Sequence, residues 1–215
     1  MNINHFAIGL GAALALAGAA QAEDFKPKAA GEIMLNVRIS DVAPANGDAI
    51  TTLAGAATGL NAKVSSEVMP SLGLTYFITD HWAVEAIATT TEHRIKAQGG
   101  ATNVEVKKTW VLPPVVSLQY HFAPTAKVSP YVGAGVNYML FYGGSDENGF
   151  RLRVKNGFGT ALEAGVDVAT VGAWSVNLDA KKVFFQTKAT DTKNGLKSTV
   201  NLDPWVLSAG VGYKF

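Results

Sequence analysis

Apolar and polar residues alternate along most of this chain with a period of two. In Trp82-Ala83-Val84-Glu85-Ala86-Ile87-Ala88 the even positions are uniformly apolar, while the odd ones include a carboxylate. Val116-Ser117-Leu118-Gln119-Tyr120-His121-Phe122 repeats the pattern, as do Leu162 to Val168 and Trp174 to Ala180. A period of two describes a β-strand whose faces meet different surroundings. The alternation predicts eight strands, near 31–41, 67–78, 82–95, 107–122, 131–142, 156–169, 174–190 and 197–215. Thr79-Asp80-His81 and 169–173 are tight connections and 123–130 is a moderate one; those near 42–66, 96–106, 143–155 and 188–196 are longer. Short turns at one end and long loops at the other predict an all-β, eight-stranded antiparallel up-and-down barrel.

The N-terminus breaks the pattern. Met1 to Ala22 carries no Asp, Glu, Lys or Arg, and the apolar run from Phe6 ends in Ala20-Gln21-Ala22. A small-x-small ending after about 15 apolar residues is a signal-peptide pattern, too short for a membrane helix. A cleaved signal over 1–22 and a single barrel domain over 23–215 are therefore expected.

A barrel in lipid and a soluble one both alternate, and the aromatic residues separate them. Trp82 and Trp174 open two strands, while Tyr120, Phe122, Tyr213 and Phe215 close two others. That sets an aromatic girdle flush with the short turns, and Trp110, Tyr138, Tyr142 and Trp205 supply a second one further along. The last strand carries an apolar stripe from Trp205 to Phe215. Its ending, with Ser208, Gly210, Tyr213 and a terminal Phe215, resembles the signal by which outer-membrane barrels reach their assembly machinery. A transmembrane barrel in the outer membrane follows.

Composition removes other classes. The 215 residues include no cysteine, which excludes disulfide scaffolds and thiolate metal sites. Eighteen basic against seventeen acidic residues give +1, which offers nothing to nucleic acid. At 16% charged residues the chain is also poorer in charge than an ordinary soluble domain.

With the apolar stripes facing lipid, the opposite parity falls in the lumen. Arg38, Glu85, Asn137, Glu163, Asp179 and Lys181 would form a polar floor, where cations and carboxylates neutralise one another. Ile87, Val111, Val115, Met139, Phe141, Val183, Phe185 and Val206 would line an apolar cup above it. Paired carboxylates also serve glycosidases, and a Ser-His pair near His93 would suit a lipid-modifying barrel enzyme, but nothing in the sequence positions either. No catalytic residue, metal or cofactor is assigned. Pro113-Pro114 interrupts a strand, and two successive prolines remove one donor from each flanking ladder. A lateral opening in the wall is expected there. Lys182 shares the lipid-facing parity of Trp174; eight residues further on, about 20 Å up the strand, it should snorkel to lipopolysaccharide phosphates.

Several of these segments together resemble the OmpW outer-membrane family. They are Val37-Arg38 leading to Val42-Ala43-Pro44, Val84-Glu85-Ala86-Ile87-Ala88, Leu112-Pro113-Pro114, Pro130-Tyr131-Val132-Gly133-Ala134-Gly135 and Leu202-Asp203-Pro204-Trp205. Phe184-Phe185-Gln186 departs from the more acidic strand end of that pattern. The resemblance implies an eight-stranded barrel with an apolar channel for small hydrophobic compounds; with the wall opening at Pro113 and Pro114, their release sideways into the membrane is expected. The rival expectations are a structural or adhesive barrel and a lipid-modifying enzyme. Expected partners are outer-membrane lipid and lipopolysaccharide, small hydrophobic solutes, and the assembly machinery during biogenesis.

Overall fold

The computed structural model describes residues 25–215. The expected signal segment, 1–22, lies outside the described residues. In chain order the strands are β1 (Ile33–Ala43), β2 (Asp48–Thr52), β3 (Ala57–Val64), β4 (Glu67–Phe77), β5 (Trp82–Ala88), β6 (Thr91–Gly99), β7 (Thr102–Leu112) and β8 (Val115–His121). They continue with β9 (Val128–Asp146), β10 (Leu152–Val154), β11 (Gly157–Ala169), β12 (Trp174–Phe184), β13 (Gln186–Asp191), β14 (Leu196–Asn201) and β15 (Trp205–Lys214).

Eight of them close a ring. β1 pairs β4, β4 pairs β5, β5 pairs β8, β8 pairs β9, β9 pairs β11, β11 pairs β12, β12 pairs β15, and β15 returns to β1, every pair antiparallel. Closure leaves no unpaired edge, which a sheet crossing hydrocarbon cannot tolerate. Burial follows the pleat. β4 reads alternately exposed and buried from Val68 to Phe77, and the exposed set includes Val68, Leu72, Leu74 and Tyr76. The ring therefore turns an apolar face outward and buries Arg38, Glu85, Gln119 and Lys181 inside.

Both aromatic girdles are present. At the short-turn end Trp82, Tyr120 and Phe122 touch in series, with centroids 5.0 and 5.2 Å apart, and Trp174, Tyr213 and Phe215 do the same at 4.9 and 5.0 Å. Trp110 lies opposite Tyr142, and Trp205 opposite Lys182, towards the other end.

The long connections differ from expectation. The segments 42–66 and 143–155 read as loops from their small and polar residues, but they contain β2, β3 and β10. With β6, β7, β13, β14 and the end of β9 these form a second sheet above the ring. Backbone pairing demands no particular side chain, so polar strands standing clear of lipid lack the apolar alternation that reveals the others. That sheet has a seam between β9 and β10. Side chains span it: Leu152 N donates to Asp146 Oδ1 at 3.1 Å and Phe141 N to Asn156 Oδ1 at 2.8 Å.

Most chains crossing from ring to upper sheet break at one level, at 44–47, 65–66, 89–90, 113–114, 185 and 202–204; β9 alone among the described strands runs through. Pro44, Pro113, Pro114 and Pro204 sit in these breaks. Proline cannot donate to a ladder, so it ends pairing where it stands.

The opposite mouth is crossed by the segment preceding β1. Lys26 N donates to Gly172 O at 2.8 Å, Lys28 N to Pro124 O at 3.0 Å, and Ala30 N to Asp80 Oδ1 at 2.9 Å. This strap ties all three short turns together and sends the Lys28 side chain up into the lumen.

Candidate functional site: an apolar cup over a charged floor

The floor is a single connected network. Arg38 Nη2 meets Glu85 Oε1 at 2.6 Å, and its Nε donates to Asn177 Oδ1 at 2.5 Å. Lys181 Nζ lies 3.1 Å from Glu85 Oε2 and 2.8 Å from Asp179 Oδ1, and also pairs with Glu163. Tyr131 donates its hydroxyl to Asp179 at 2.8 Å and accepts from Asn177 Nδ2 at 3.1 Å. Strands from all round the ring supply these groups, so the network spans the lumen rather than coating one wall. A glycine makes room for it. A Cβ built on Gly73 would stand 2.7 Å from Arg38 Nη1 and 2.9 Å from Glu85 Oε1, so a methyl there would push both groups aside.

Below the floor the network continues to the strap. Lys28 Nζ pairs with Asp167 at 2.7 Å and donates to Ser129 Oγ and to His121 Nδ1, both at 2.8 Å. His121 Nε2 donates to Gln119 Oε1 at 3.2 Å, and Gln119 Nε2 to Glu85 Oε2 at 3.2 Å. A solute entering from above would have to displace paired buried charges over this whole depth, and leaving even one such charge buried without its partner costs about 3–5 kcal/mol.

Above the floor the lumen opens into a cup of about 120 Å³. Ile87, Val111, Val115, Met139, Phe141, Val183 and Val206 line it, and Lys181 and Asn137 form part of its base. Phe185 points inward and is buried at 3% exposure, but it packs behind the lining, 6.2 Å from the Phe141 ring and over Gly157. Asn137 differs from expectation. It stands apart from the charges, and its Nδ2 donates to Pro114 O at 3.0 Å. Its register opposite Val115, beside the proline break, places it there.

Pro113 and Pro114 interrupt the wall unevenly. Towards β9 the break is stitched, because Pro114 O also accepts from Tyr138 N at 3.1 Å. Towards the β5–β6 strand, pairing stops at Ile87↔Val115 and resumes at Thr91↔Val111. A second interruption flanks the same strand on its other side, where β4 pairs β5 only as far as Leu72↔Ala88 and the ladder resumes at Val64↔Ile95. Pro70 stands in that stretch, and Thr89 Oγ1 donates to its carbonyl at 2.8 Å. In an antiparallel strand the N–H and C=O of one residue point the same way, so the donor missing from Pro70 is missing towards Thr89 and Thr90. The segment 89–90 is thus without a ladder on either side, and Ser71, Ala88, Thr89 and Pro113 all border the cup.

The chain matches the OmpW family over residues 29–215. The chain belongs to the OmpW family. It is 31% identical over 200 residues to outer membrane protein W of Escherichia coli, covering 86% of this chain and 89% of that one. It is 44% identical over 161 residues to an uncharacterized outer-membrane protein of Sinorhizobium fredii (73% and 70% covered). It is 30% identical over 145 residues to the dibenzothiophene metabolism operon protein PahQ of Pseudomonas aeruginosa (65% and 68%). The crystal structure of OprG from Pseudomonas aeruginosa superimposes with a TM-score of 0.83 at 28% identity, covering 89% of this chain and 99% of that one. This OmpW-family chain is accordingly an outer-membrane β-barrel of Gram-negative type.

Within this OmpW-family barrel, the sequence reading missed Lys28, Tyr131, Asn177 and Pro70. Tyr131 and Asn177 share the lumenal parity of Asn137 and Asp179, so parity alone could have found them. Pro70 was legible as a proline inside an alternating strand. Lys28 precedes the first strand and carried no periodic signal. Lys182 sits at the Trp205 level, as its register required, but its ammonium is taken by the Asp203 carbonyl and lies 5.4 Å from the Trp205 ring. His93 donates from Nδ1 to the Ser65 carbonyl at 2.8 Å, while Ser65 Oγ donates to Glu67 at 2.7 Å. That geometry gives the serine no imidazole base.

Proposed function

We propose that this barrel takes small hydrophobic molecules from outside the cell into the apolar cup and releases them sideways into the membrane. One observation carries the reading: a cup lined by aliphatic and aromatic side chains ends below on paired charges and borders, at its side, the unladdered segment 89–90 between Pro70 and Pro113. An apolar solute gains nothing by entering the charges, while hydrocarbon beyond the wall accepts it downhill. No energy source or cofactor is needed. The relative from a dibenzothiophene metabolism operon supports the class of solute, since dibenzothiophene is an apolar fused-ring compound. In this reading the long-loop end faces outward, 1–22 is a cleaved signal, and Ser208, Gly210, Tyr213 and Phe215 address the chain to the assembly machinery.

The test is uptake of an apolar tracer by cells carrying equal amounts of folded protein. Phe141→Asp should reduce uptake by placing a charge in the cup. Pro113→Val with Pro114→Thr should restore ladder donors and slow release more than capture, and Pro70→Val should act alike from the other side. Equal uptake by wild type, Phe141→Asp and a strain lacking the barrel would remove transport and leave an adhesive or structural barrel.

A further inference from the structure

A groove on the outer surface of the upper sheet, sharing only Lys96 with the cup, gathers more positive charge than its own carboxylate balances. It lies across β3, β6 and β7 and reaches the start of β4, with the cations Lys63, Arg94 and Lys96 against the single carboxylate Glu67. Lys63 stands directly opposite Lys96 in the β3–β6 register, and Arg94 directly opposite Lys108 in the β6–β7 register. Like charges facing each other across a strand pair destabilise a sheet unless something of opposite sign joins them. The nearby carboxylates are fewer or turned to other partners: Glu67, the one carboxylate of the groove, accepts from Ser65, Glu105 lies opposite Lys96 but approaches Lys108 at 3.6 Å, Glu147 approaches Lys108 at 3.8 Å, and Asp146 holds Lys107 at 2.9 Å. Among the described residues, Lys63, Arg94 and Lys96 form no ion pair. Gln98 and Asn103, paired across β6 and β7, add amide donors to the same groove.

Its height selects the ligand. Lys108 shares the outward parity of Trp110 and lies two residues beyond it, which at a rise of about 3.3 Å and a tilt of about 40° is roughly 5 Å above the girdle. Arg94 is level with Lys108, and Lys96 stands about 5 Å higher still. The girdle marks the edge of hydrocarbon, so the cations occupy the layer just outside it. In the outer leaflet of an outer membrane that layer holds the phosphates of lipopolysaccharide. We propose that this groove is a binding site for lipopolysaccharide phosphates, held by Lys63, Arg94 and Lys96. The inference requires the long-loop end to face outward but is independent of transport.

The full-length protein, purified in detergent, is titrated with fluorescent lipid A carrying two phosphates, with the one-phosphate form and with inorganic phosphate as competitor. Each cation near a charged lipid surface contributes about fivefold in affinity. Lys63→Gln/Arg94→Gln/Lys96→Gln should therefore weaken binding of two-phosphate lipid A by about a hundredfold, and more in low salt than in high. A control with the same loss of charge, Lys155→Gln/Lys188→Gln/Lys193→Gln, should bind like wild type. The charge-keeping Lys63→Arg/Lys96→Arg should also bind like wild type, which separates loss of the site from loss of the fold. One-phosphate lipid A should bind more weakly than the two-phosphate form. An undiminished affinity in the first variant, an equal loss in the control, or full displacement by millimolar inorganic phosphate would overturn the proposal, the last by showing a free-anion site.

Discussion

Removing Lys181 is the sharpest test of the charged floor. Its ammonium meets three carboxylates, Glu85, Glu163 and Asp179, and is 2% exposed. With Arg38 the level holds two cations against those three anions, a formal sum of −1. Lys181→Met keeps most of the aliphatic stem but leaves one cation for three buried anions, a sum of −2. Breaking a buried pair by deleting one partner costs about 3–5 kcal/mol, because the abandoned charge keeps its desolvation penalty without its attraction. That is a large share of the roughly 5–15 kcal/mol that holds a typical domain together. Adding Glu163→Gln restores the sum to −1 and should recover about half or more of the loss, since neighbouring substitutions in one network do not add. The assay is urea unfolding of the barrel in lipid vesicles, read in parallel by tryptophan fluorescence and by heat-modifiable gel mobility. A Lys181→Met barrel within about 1 kcal/mol of wild type, or a double variant less stable than the single, would refute the view that the floor is held by mutual neutralisation.

Other consequences are accessible to simpler measurements. Gly73→Ala should loosen the Arg38–Glu85 contact, since the new methyl falls on both groups, and lower the unfolding midpoint while leaving Gly31→Ala, whose site is open but at φ +87°, to report backbone strain alone. Deleting Phe215, whose backbone N–H donates to Ile33 O at 2.9 Å, should reduce the fraction of chain with folded mobility without blocking export; an unchanged fraction would show that this ending is not used as a signal. Protease added to intact cells should cut at the hairpin tips near 54, 100, 148 and 194 and spare Thr125 and Thr170, and cleavage at either threonine would invert the topology. At the β13–β14 tip, burial works to raise the Asp191 carboxyl, but donors from Asn194 and Lys193 outweigh it and hold it below the ordinary carboxylate range. A lowered carboxylate stabilises the fold above its unfolded pKa and loses that contribution as pH falls through the folded one. Protection of the Lys193 and Asn194 amides, taken as exchange relative to the unstructured rate at the same pH, should therefore fall in acid, and already at neutral pH in Asp191→Asn.

How much of this was legible beforehand follows from what a single chain can encode. Period-two alternation specified the eight crossings and their parity, because each lipid-facing side chain must be apolar whatever its neighbours are; Glu85, Lys181 and Val183 were placed inside on that ground alone. Both girdles and the terminal Phe215 were equally readable, since interfacial aromatics answer to depth and depth follows from counting residues. The strands β2, β3 and β10 escaped, as polar strands outside lipid leave only backbone hydrogen bonds to announce them. Register decided the rest. Pairing alone set Asn137 beside Pro114 instead of among the charges, brought Pro70 level with the break at 89–90, and lined up Lys63 with Lys96. Lys28 reached Asp167 only once the chain had closed on itself, because a contact across a barrel depends on which strands meet, and no local pattern carries that information.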